Sequence, residues 1–248
     1  MVLQLFGERA LVVNRETVRR ALHRLKFRWR RPRAVPPSKD PEQKRKRLQE
    51  VLEMLKHQKA SFFQDETKLE TNPRVGFCWM RKGKQKRLRT PGTNRKVWIS
   101  GALNWWRTAR FHWVTGARKN NELFLKVLKQ LRRIYRCHRQ LHLAIDNDSS
   151  HTSGRVQKYV KASGGRLRLH PLPAWSPQNN PVEMIWWGLH EAVSRNHSCK
   201  GLDELLPFAE SYLKERQPFR LKSWEQITTS WKGRRLDSPS VHLSCAPI

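Results

Sequence analysis

Alternating apolar and polar residues over 141–146, LHLAID, predict a β-strand that leads directly into an acid. Successive side chains of a strand point to opposite faces, so the leucines and the isoleucine share one face. We therefore expect Asp146 at the C-terminal edge of a sheet. A polar turn follows, then a short amphipathic helix with Val156 on its apolar face and a second strand over 166–172.

The segment after that strand, LPAWSPQNNPVE, predicts the start of a helix. Its prolines and asparagines disfavour regular structure as far as Asn180, a predicted N-cap, which leaves Pro181 at the first helical position. Apolar residues then recur at helical spacing up to Val193, so Glu183 projects from the first turn. A glutamate three residues after an N-cap is also typical of a capping box, and this alternative stays open.

Four more helices are predicted where apolar residues recur at spacings of three and four. The first, over 14–30, begins at an Asn14 cap and carries a stripe that we expect to be buried. The stripe consists of Val18, Ala21, Leu22 and Leu25. The others cover residues 42–58, 120–136 and 201–216.

Further strands are predicted around a second acid. An apolar run over 60–65 ends at Asp65, and we expect the strand to end there. Residues 76–83, 96–106 and 110–117 have the pattern of an antiparallel meander. The order is then strand, strand, strand, helix, strand, helix, strand, helix.

The charge of the chain indicates its partner. The 248 residues contain 51 Lys and Arg against 20 Asp and Glu, a formal net charge of +31. Such an excess is self-repelling unless a polyanion neutralises it, so we expect DNA or RNA. A membrane-surface protein is disfavoured, because the sequence has no long apolar run and no signal peptide. We expect a soluble cytoplasmic protein associated with the nucleoid.

Four scattered cysteines lack the spacing of a zinc site. We expect them to be free and mostly buried thiols of a reducing compartment.

Oxygen ligands are a better candidate for metal binding. Asp65, Asp146 and Glu183, from two strands and a helix start, are what a two-metal phosphoryl-transfer site needs. Glu66 neighbours Asp65, but strand alternation is expected to point it away, to a supporting or surface position.

Three segments together carry a resemblance to a known family. FFQDE, IDNDSSH and LPAWSPQNNPVEMIW resemble the motifs of DDE transposases of the mariner-type superfamily, in its bacterial insertion-sequence branch. The resemblance covers residues 15–200. It implies an α/β fold of the ribonuclease-H-like class, a mixed five-stranded sheet flanked by helices, in which the strands of Asp65 and Asp146 lie side by side and parallel.

The resemblance also implies roles for individual residues. Asp65, Asp146 and Glu183 would be the catalytic residues and the ligands of two Mg²⁺ ions, with Mn²⁺ tolerated. In the DNxxxH pattern, Asn147 and His151 would orient a carboxylate or the scissile phosphate. For His151, a turn histidine with no catalytic part is the alternative.

By the same resemblance, the protein would cut the ends of an element and join the 3′-hydroxyl to target DNA at TA sites, as a homodimer on paired ends. No small-molecule substrate is expected. Two other functions stay open. One is a truncated DNA-binding remnant or regulator that does not transpose, and the other is a structure-selective nuclease on the same fold.

Two basic regions are candidates for DNA contact. Residues 1–37 are expected to form a partial helix-turn-helix or winged segment of an N-terminally shortened family member, followed by a catalytic domain over 38–200 and a C-terminal helix with a loose tail over 201–248. The loop 81–96 has eight Lys and Arg and no acid, and such a loop beside a metal site could hold the DNA backbone. The candidate contacts are Arg19, Arg20, Arg24, Arg28, Arg30, Arg31, Lys84, Lys86 and Arg87.

Overall fold

One mixed sheet forms the centre of the larger of two compact units. The computed structural model describes residues 14–27, 41–173 and 180–219, and its units are Met1–Lys39 and Asp40–Ile248. The five strands, in the spatial order β3-β2-β1-β4-β5, are β1 (Ser61–Glu70), β2 (Lys96–Leu103), β3 (Phe111–Gly116), β4 (Leu141–Ile145) and β5 (Leu167–Pro171). The predicted five-stranded α/β fold is confirmed.

The pairing of β1 with β4 brings two distant parts of the chain together. β1 pairs antiparallel with β2 on one side and parallel with β4 on the other, with Ser61 opposite His142 and Phe63 opposite Ala144. β4 ends at Ile145, whereas β1 continues beyond that point. Among the described strands, none pairs with this edge of β1 where the acids begin.

Helices cover both faces of this sheet. They are α2 (Pro41–His57), α3 (Asn121–Ile134), α4 (Ser149–Thr152), α5 (Gly154–Lys161), α6 (Val182–Leu189), a π-helical turn (His190–Ser194) and α7 (Leu202–Glu215). One apolar cluster joins Phe63 on the sheet to residues of α2, α6 and α7. The other joins Phe62, on the opposite face, to α3 and α5.

The helix α3 shows why the sequence pattern succeeded. The Asn120 side chain accepts a hydrogen bond from the Leu123 backbone N–H at 3.1 Å, as an N-cap does. Phe124, Leu128 and Leu131 are fully buried on the predicted stripe. Truncating a buried leucine of this kind costs about 2–5 kcal/mol, so this face fixes the helix on the sheet.

In the smaller unit the structure describes one helix, α1 (Arg15–Arg24). Its predicted cap is confirmed, since Asn14 Oδ1 accepts from the Glu16 backbone N–H at 3.0 Å. Its predicted buried stripe is wrong: no residue of the helix is buried, and Leu22 and Leu25 are exposed. A helix buries a stripe only against another element, and α1 is the only element among the described residues of this unit.

Two strand predictions are also wrong. β1 does not end at Asp65 but continues to Glu70, because β2 pairs with it along that whole length. Residues 76–83 form no strand, and Phe77 and Trp79 are fully exposed. The alternation there has no partner strand in the part of the chain that the structure describes, so the pattern alone could not specify pairing.

Cysteine burial was also predicted wrongly. Cys78 and Cys137 are exposed free thiols, and Cys199 is partly buried. Cys245 and the predicted tail beyond residue 219 lie outside the described residues. Within the described part of the chain, no helix is both long and apolar enough to cross a membrane.

Candidate metal centre

Three carboxylates converge where β4 ends. Oxygen atoms of Asp65, Glu66 and Asp146 all lie within 4.8 Å of one another. Asp65 lies two residues beyond Phe63, and Asp146 two beyond Ala144, so the parallel register brings the two acids to the same level of the sheet. The spacing suits a metal ion with oxygen ligands.

Glu66 is closer to the other acids than strand alternation suggested. Its side chain is 2% exposed, and Ser100 Oγ donates to its Oε1 at 3.0 Å. The alternation itself holds, since Glu66 shares a face with Gln64, which also donates to it. Because β4 stops at Ile145, the carboxylates of the two faces can approach around the open edge, so the surface position considered for Glu66 is wrong.

His151 links Glu66 to Asp146. Its Nδ1 lies 2.8 Å from Asp146 Oδ1, and its Nε2 lies 3.2 Å from Glu66 Oε1. Burial alone would lower the pKa of His151, but the hydrogen bonds and charges of the two acids raise its pKa to about 10. The imidazolium thus balances part of the negative charge of the centre. The His151 side chain is therefore buried between the carboxylates of Glu66 and Asp146.

The same contact acts on Asp146. Burial opposes ionisation, but hydrogen bonds from His151 and from the Asp148 backbone N–H hold the pKa of Asp146 below its ordinary value. Asp146 is 47% exposed at its side chain. An ionised, partly accessible carboxylate is what a metal ligand requires.

The pKa of Asp65 is shifted in the opposite direction. Burial and the charges of Glu183, Glu66 and Asp146 raise its pKa well above the ordinary range. Burial and the charge of Asp146 likewise raise the pKa of Glu183. Mutual repulsion of this kind shows that Glu183 belongs to the same electrostatic group, although the three carboxylates within 4.8 Å do not include it.

The capping-box alternative for Glu183 gains no support. Asn180 Oδ1 accepts from the Val182 backbone N–H at 3.1 Å, as a capping side chain does. Helix α6 begins at Val182, one residue later than predicted. Glu183 forms no side-chain hydrogen bond to another residue in the described ranges. Its carboxylate is therefore available at the edge of the centre.

The other predicted supporting residue, Asn147, is placed differently. Its Nδ2 donates to the Leu172 backbone carbonyl at 2.9 Å, which ties the end of β4 to the end of β5. Its side chain forms no hydrogen bond to a carboxylate among the residues that the structure describes. Its contact holds the loop that carries Asp146 rather than the acid itself.

Sequence reasoning missed Lys119. Its Nζ lies 2.9 Å from Asp148 Oδ2 and 3.8 Å from Glu66 Oε2. Burial opposes its charge, but the hydrogen bond with Asp148 and nearby acids raise the pKa of Lys119. Asp148 had no predicted role, and it caps α4 through Ser150 as well. A lysine in a loop after β3 gave no sequence signal of this contact.

The donor set fits a hard divalent cation. All the candidate ligands are carboxylates, the ligand type that Mg²⁺ and Mn²⁺ prefer. The Oε2 atom of Glu66 is buried and has no hydrogen-bond partner among the described residues. Burial and the negative charges of Glu183, Glu66 and Asp146 raise the pKa of Asp65. A cation among these oxygens would give Glu66 Oε2 a partner and would offset the negative charge around Asp65.

The predicted DNA contacts are exposed wherever they are described. On α1, Arg19 hydrogen-bonds Glu16 through two nitrogen atoms, and Arg20 lies 3.5 Å from the same acid, while Arg24 is exposed. Lys84, Lys86 and Arg87 are exposed in the loop between β1 and β2. Arg28, Arg30 and Arg31 lie outside the described residues.

Comparison with known proteins identifies the family. Residues 60–206 match the model of a DDE superfamily endonuclease, and residues 8–51 match a winged helix-turn-helix. The chain is 32% identical over 209 residues to the insertion element IS630 uncharacterized 39 kDa protein of Shigella sonnei, a match that covers 84% of this chain. The chain spans 60% of the length of that relative.

Solved structures share the fold. The Mos1 transposase paired-end complex with the left transposon end has a TM-score of 0.58 at 16% identity, covering 88% of this chain and 70% of that one. The Mos1 mariner paired-end complex with Mn has a TM-score of 0.57 at 16% identity, covering 88% and 71%. Because the endonuclease model matches more than half of the chain, the chain belongs to the DDE endonuclease superfamily.

Proposed function

We propose that this protein is a DNA transposase that cuts element ends and joins the resulting 3′-hydroxyl to target DNA by two-metal phosphoryl transfer. The observation that carries the proposal is the convergence of Asp65 and Asp146 at the end of a parallel strand pair, with Glu183 in the same electrostatic group. Asp65 would contact both ions, and Asp146 and Glu183 would each hold one.

Two Mg²⁺ ions, or Mn²⁺ in their place, would supply activation of the attacking water or hydroxyl and charge stabilisation at the leaving 3′-oxygen. The protein's own part is to hold the acids in place. His151 orients Asp146 and fixes one of its oxygens, while the partly exposed carboxylate stays accessible. The relatives crystallised with Mn and Mg support this choice of ions.

The basic surface would hold the substrate. Lys84, Lys86 and Arg87 lie in the loop that joins β1, which carries Asp65, to β2. Exposed cations bind DNA through phosphates and position it without reading its sequence. Recognition of element ends would come from α1 and its winged helix-turn-helix region, in which Arg24 is exposed. We include Arg28, Arg30 and Arg31 in that surface from their sequence positions.

Cleavage and joining are tested in one reaction. The purified protein is incubated with Mg²⁺, a labelled duplex that carries the element end and an unlabelled target containing TA sites. We expect a nick at the element end and then a joined product. Asp146→Ala should lose at least about a thousand-fold in rate, because metal ligation contributes several kcal/mol. Asp203→Ala, an exposed acid of α7, is the matched control.

The products distinguish the proposal from its alternatives. Nicked ends that are never joined to the target would identify a nuclease on the same fold. Specific binding without any nick by the wild-type protein would identify a non-transposing DNA-binding protein. Unchanged nicking by Asp146→Ala would remove the proposed site altogether.

The proposed assembly is a homodimer on paired ends. The mariner-type structures named as paired-end complexes support it. Sedimentation of the protein with and without end DNA measures the mass directly. We expect a complex of two chains and two DNA ends. A complex that contains one chain and one DNA end would contradict the proposal.

A further inference from the structure

We infer that Asn180 and His190 are positioning residues that hold Glu183 against the acids of β1, by hydrogen bonds on either side of the metal centre. The inference rests on the proposed function. It concerns two contacts with β1, one made by Asn180 just before α6 and one by His190 just after it. Neither contact involves the side chain of a proposed metal ligand. We call them the Asn180 clamp and the His190 clamp.

The Asn180 clamp joins the backbone immediately before each of two acids. The Asn180 side chain is 6% exposed. Its Nδ2 donates to the Gln64 carbonyl at 2.9 Å, and its Oδ1 accepts from the Val182 N–H at 3.1 Å. Gln64 precedes Asp65 and Val182 precedes Glu183. One amide therefore fixes the distance between the two chain segments at the level of the acids.

The His190 clamp acts beyond the acids. The Nε2 atom of His190 lies 2.8 Å from Thr67 Oγ1, and its Nδ1 lies 2.9 Å from Ser194 Oγ. Thr67 is two residues after Asp65, so the two side chains share a face of β1. His190 is seven residues after Glu183, about two helical turns, so both face the same way.

The π-helical turn gives His190 its partner. Residues His190–Ser194 form this turn directly after α6, and the ring of His190 spans from β1 to Ser194 within it. Such turns interrupt a helix at some cost and are frequent at functional sites. Here the turn brings the hydroxyl of Ser194 to the ring nitrogen that faces away from β1.

Electrostatics explains why the clamps are needed. Asp65 on β1 and Glu183 on α6 both carry carboxylates, and like charges repel each other. Burial and the charge of Arg74 lower the pKa of His190 to about 4. His190 is therefore neutral at pH 7, and its clamp resists the repulsion without adding charge to the site.

Apolar packing alone would fix the helix but not this distance. Val182, Ile185, Trp186 and Leu189 bury α6 in the core, yet apolar contacts are non-directional and tolerate small sliding movements. The hydrogen bonds of Asn180 and His190, one before and one after the acids, prevent α6 from sliding along β1. A ligand displaced by such a movement would lose metal affinity.

The test measures Mn²⁺ binding by the full chain, from the loss of the free-ion signal in electron paramagnetic resonance. Asn180→Ser keeps a helix-capping oxygen but is too short to reach Gln64, and Thr67→Val keeps the shape but loses the hydroxyl. We expect each to weaken Mn²⁺ binding about ten-fold. Thr67→Ser should restore it. With end DNA and Mg²⁺, kcat should fall while KM for DNA stays unchanged.

Tyr135→Phe is the matched control. It removes a hydrogen bond to His112 of 2.9 Å, between β3 and the end of α3, away from the acids. We expect a similar loss of thermal stability but unchanged Mn²⁺ affinity. Wild-type affinity in both Asn180→Ser and Thr67→Val would overturn the clamps alone. A wild-type protein that binds no Mn²⁺ would overturn the proposed function, and the clamps with it.

Discussion

The Nδ1 atom of His151 lies 2.8 Å from Oδ1 of Asp146, and this contact determines which oxygen of the acid remains accessible. The other ring nitrogen contacts Glu66, whose side chain is 2% exposed. Removing the ring would therefore leave this buried carboxylate with only Lys119, whose Nζ lies 3.8 Å from its Oε2, to offset its charge. The two acids and the imidazole act as one unit, and substitutions within it should not be additive.

His151→Ala should lower the free energy of unfolding at pH 7 by about 3 kcal/mol or more, because it breaks a buried charged contact from one side. Urea denaturation without metal measures the loss. The double variant with Glu66→Gln should recover part of it, since the uncompensated charge is then gone. Strictly additive effects of the two substitutions would contradict the coupling.

Asp65→Asn should make the metal-free protein more stable while removing its response to metal. Burial and three neighbouring acids raise the pKa of Asp65, so its ionised form is unfavourable in the folded state. A neutral amide of the same shape avoids that cost. Thermal unfolding with and without Mn²⁺ checks both parts. A metal-free melting temperature below that of the wild type would contradict the first part.

The loop between β1 and β2 should contribute to the salt dependence of DNA binding. Replacing Lys84, Lys86 and Arg87 with alanine should reduce the slope of log K against log salt by about 0.9 for each DNA phosphate that the loop no longer neutralises. Binding isotherms from 50 to 300 mM salt, about the range in which this effect is large, measure it. Lys214→Ala on α7, which removes a surface ion pair, is the control and should leave the slope unchanged.

The stability that the neutral ring of His190 contributes should be lost as the pH is lowered from about 6.5 towards 4. Burial and Arg74 lower the pKa of His190 to about 4 in the folded protein, with Glu70 opposing. The unfolded chain therefore binds more protons in this window, and acid favours unfolding. His190→Gln should be less stable at pH 7 but lose less stability between pH 7 and pH 5. Equal losses in both proteins would contradict a buried neutral histidine.

The sequence predicted those parts of the fold that short-range patterns encode. The Asn120 cap and the stripe of α3, and the strand before Asp146, follow from periodicity alone. The parallel neighbourhood of β1 and β4 was expected only through resemblance to a family. The extension of β1 to Glu70 was not predictable, because its polar residues are held there by pairing with β2.

The candidate site likewise contains residues that short-range patterns predicted and residues that only the tertiary fold places. Placing Asp65 and Asp146 needed only the strand pattern and the family motifs. Lys119 and the buried position of Glu66 depend on where β4 stops and on which loop passes over the edge. Periodicity carries no information about either. The exposed aromatic side chains of residues 76–83 show the converse, since their pattern is that of a strand but no strand of the described ranges pairs with them.

The late arrival of β4 beside β1 has a consequence during synthesis. β1 leaves the ribosome early and can pair at once with β2, but its parallel neighbour and the acid of α6 are translated much later. Contacts of such sequence separation form slowly and late in folding. A nascent chain would thus carry most of its positive charge on the polysome before the proposed metal centre is complete.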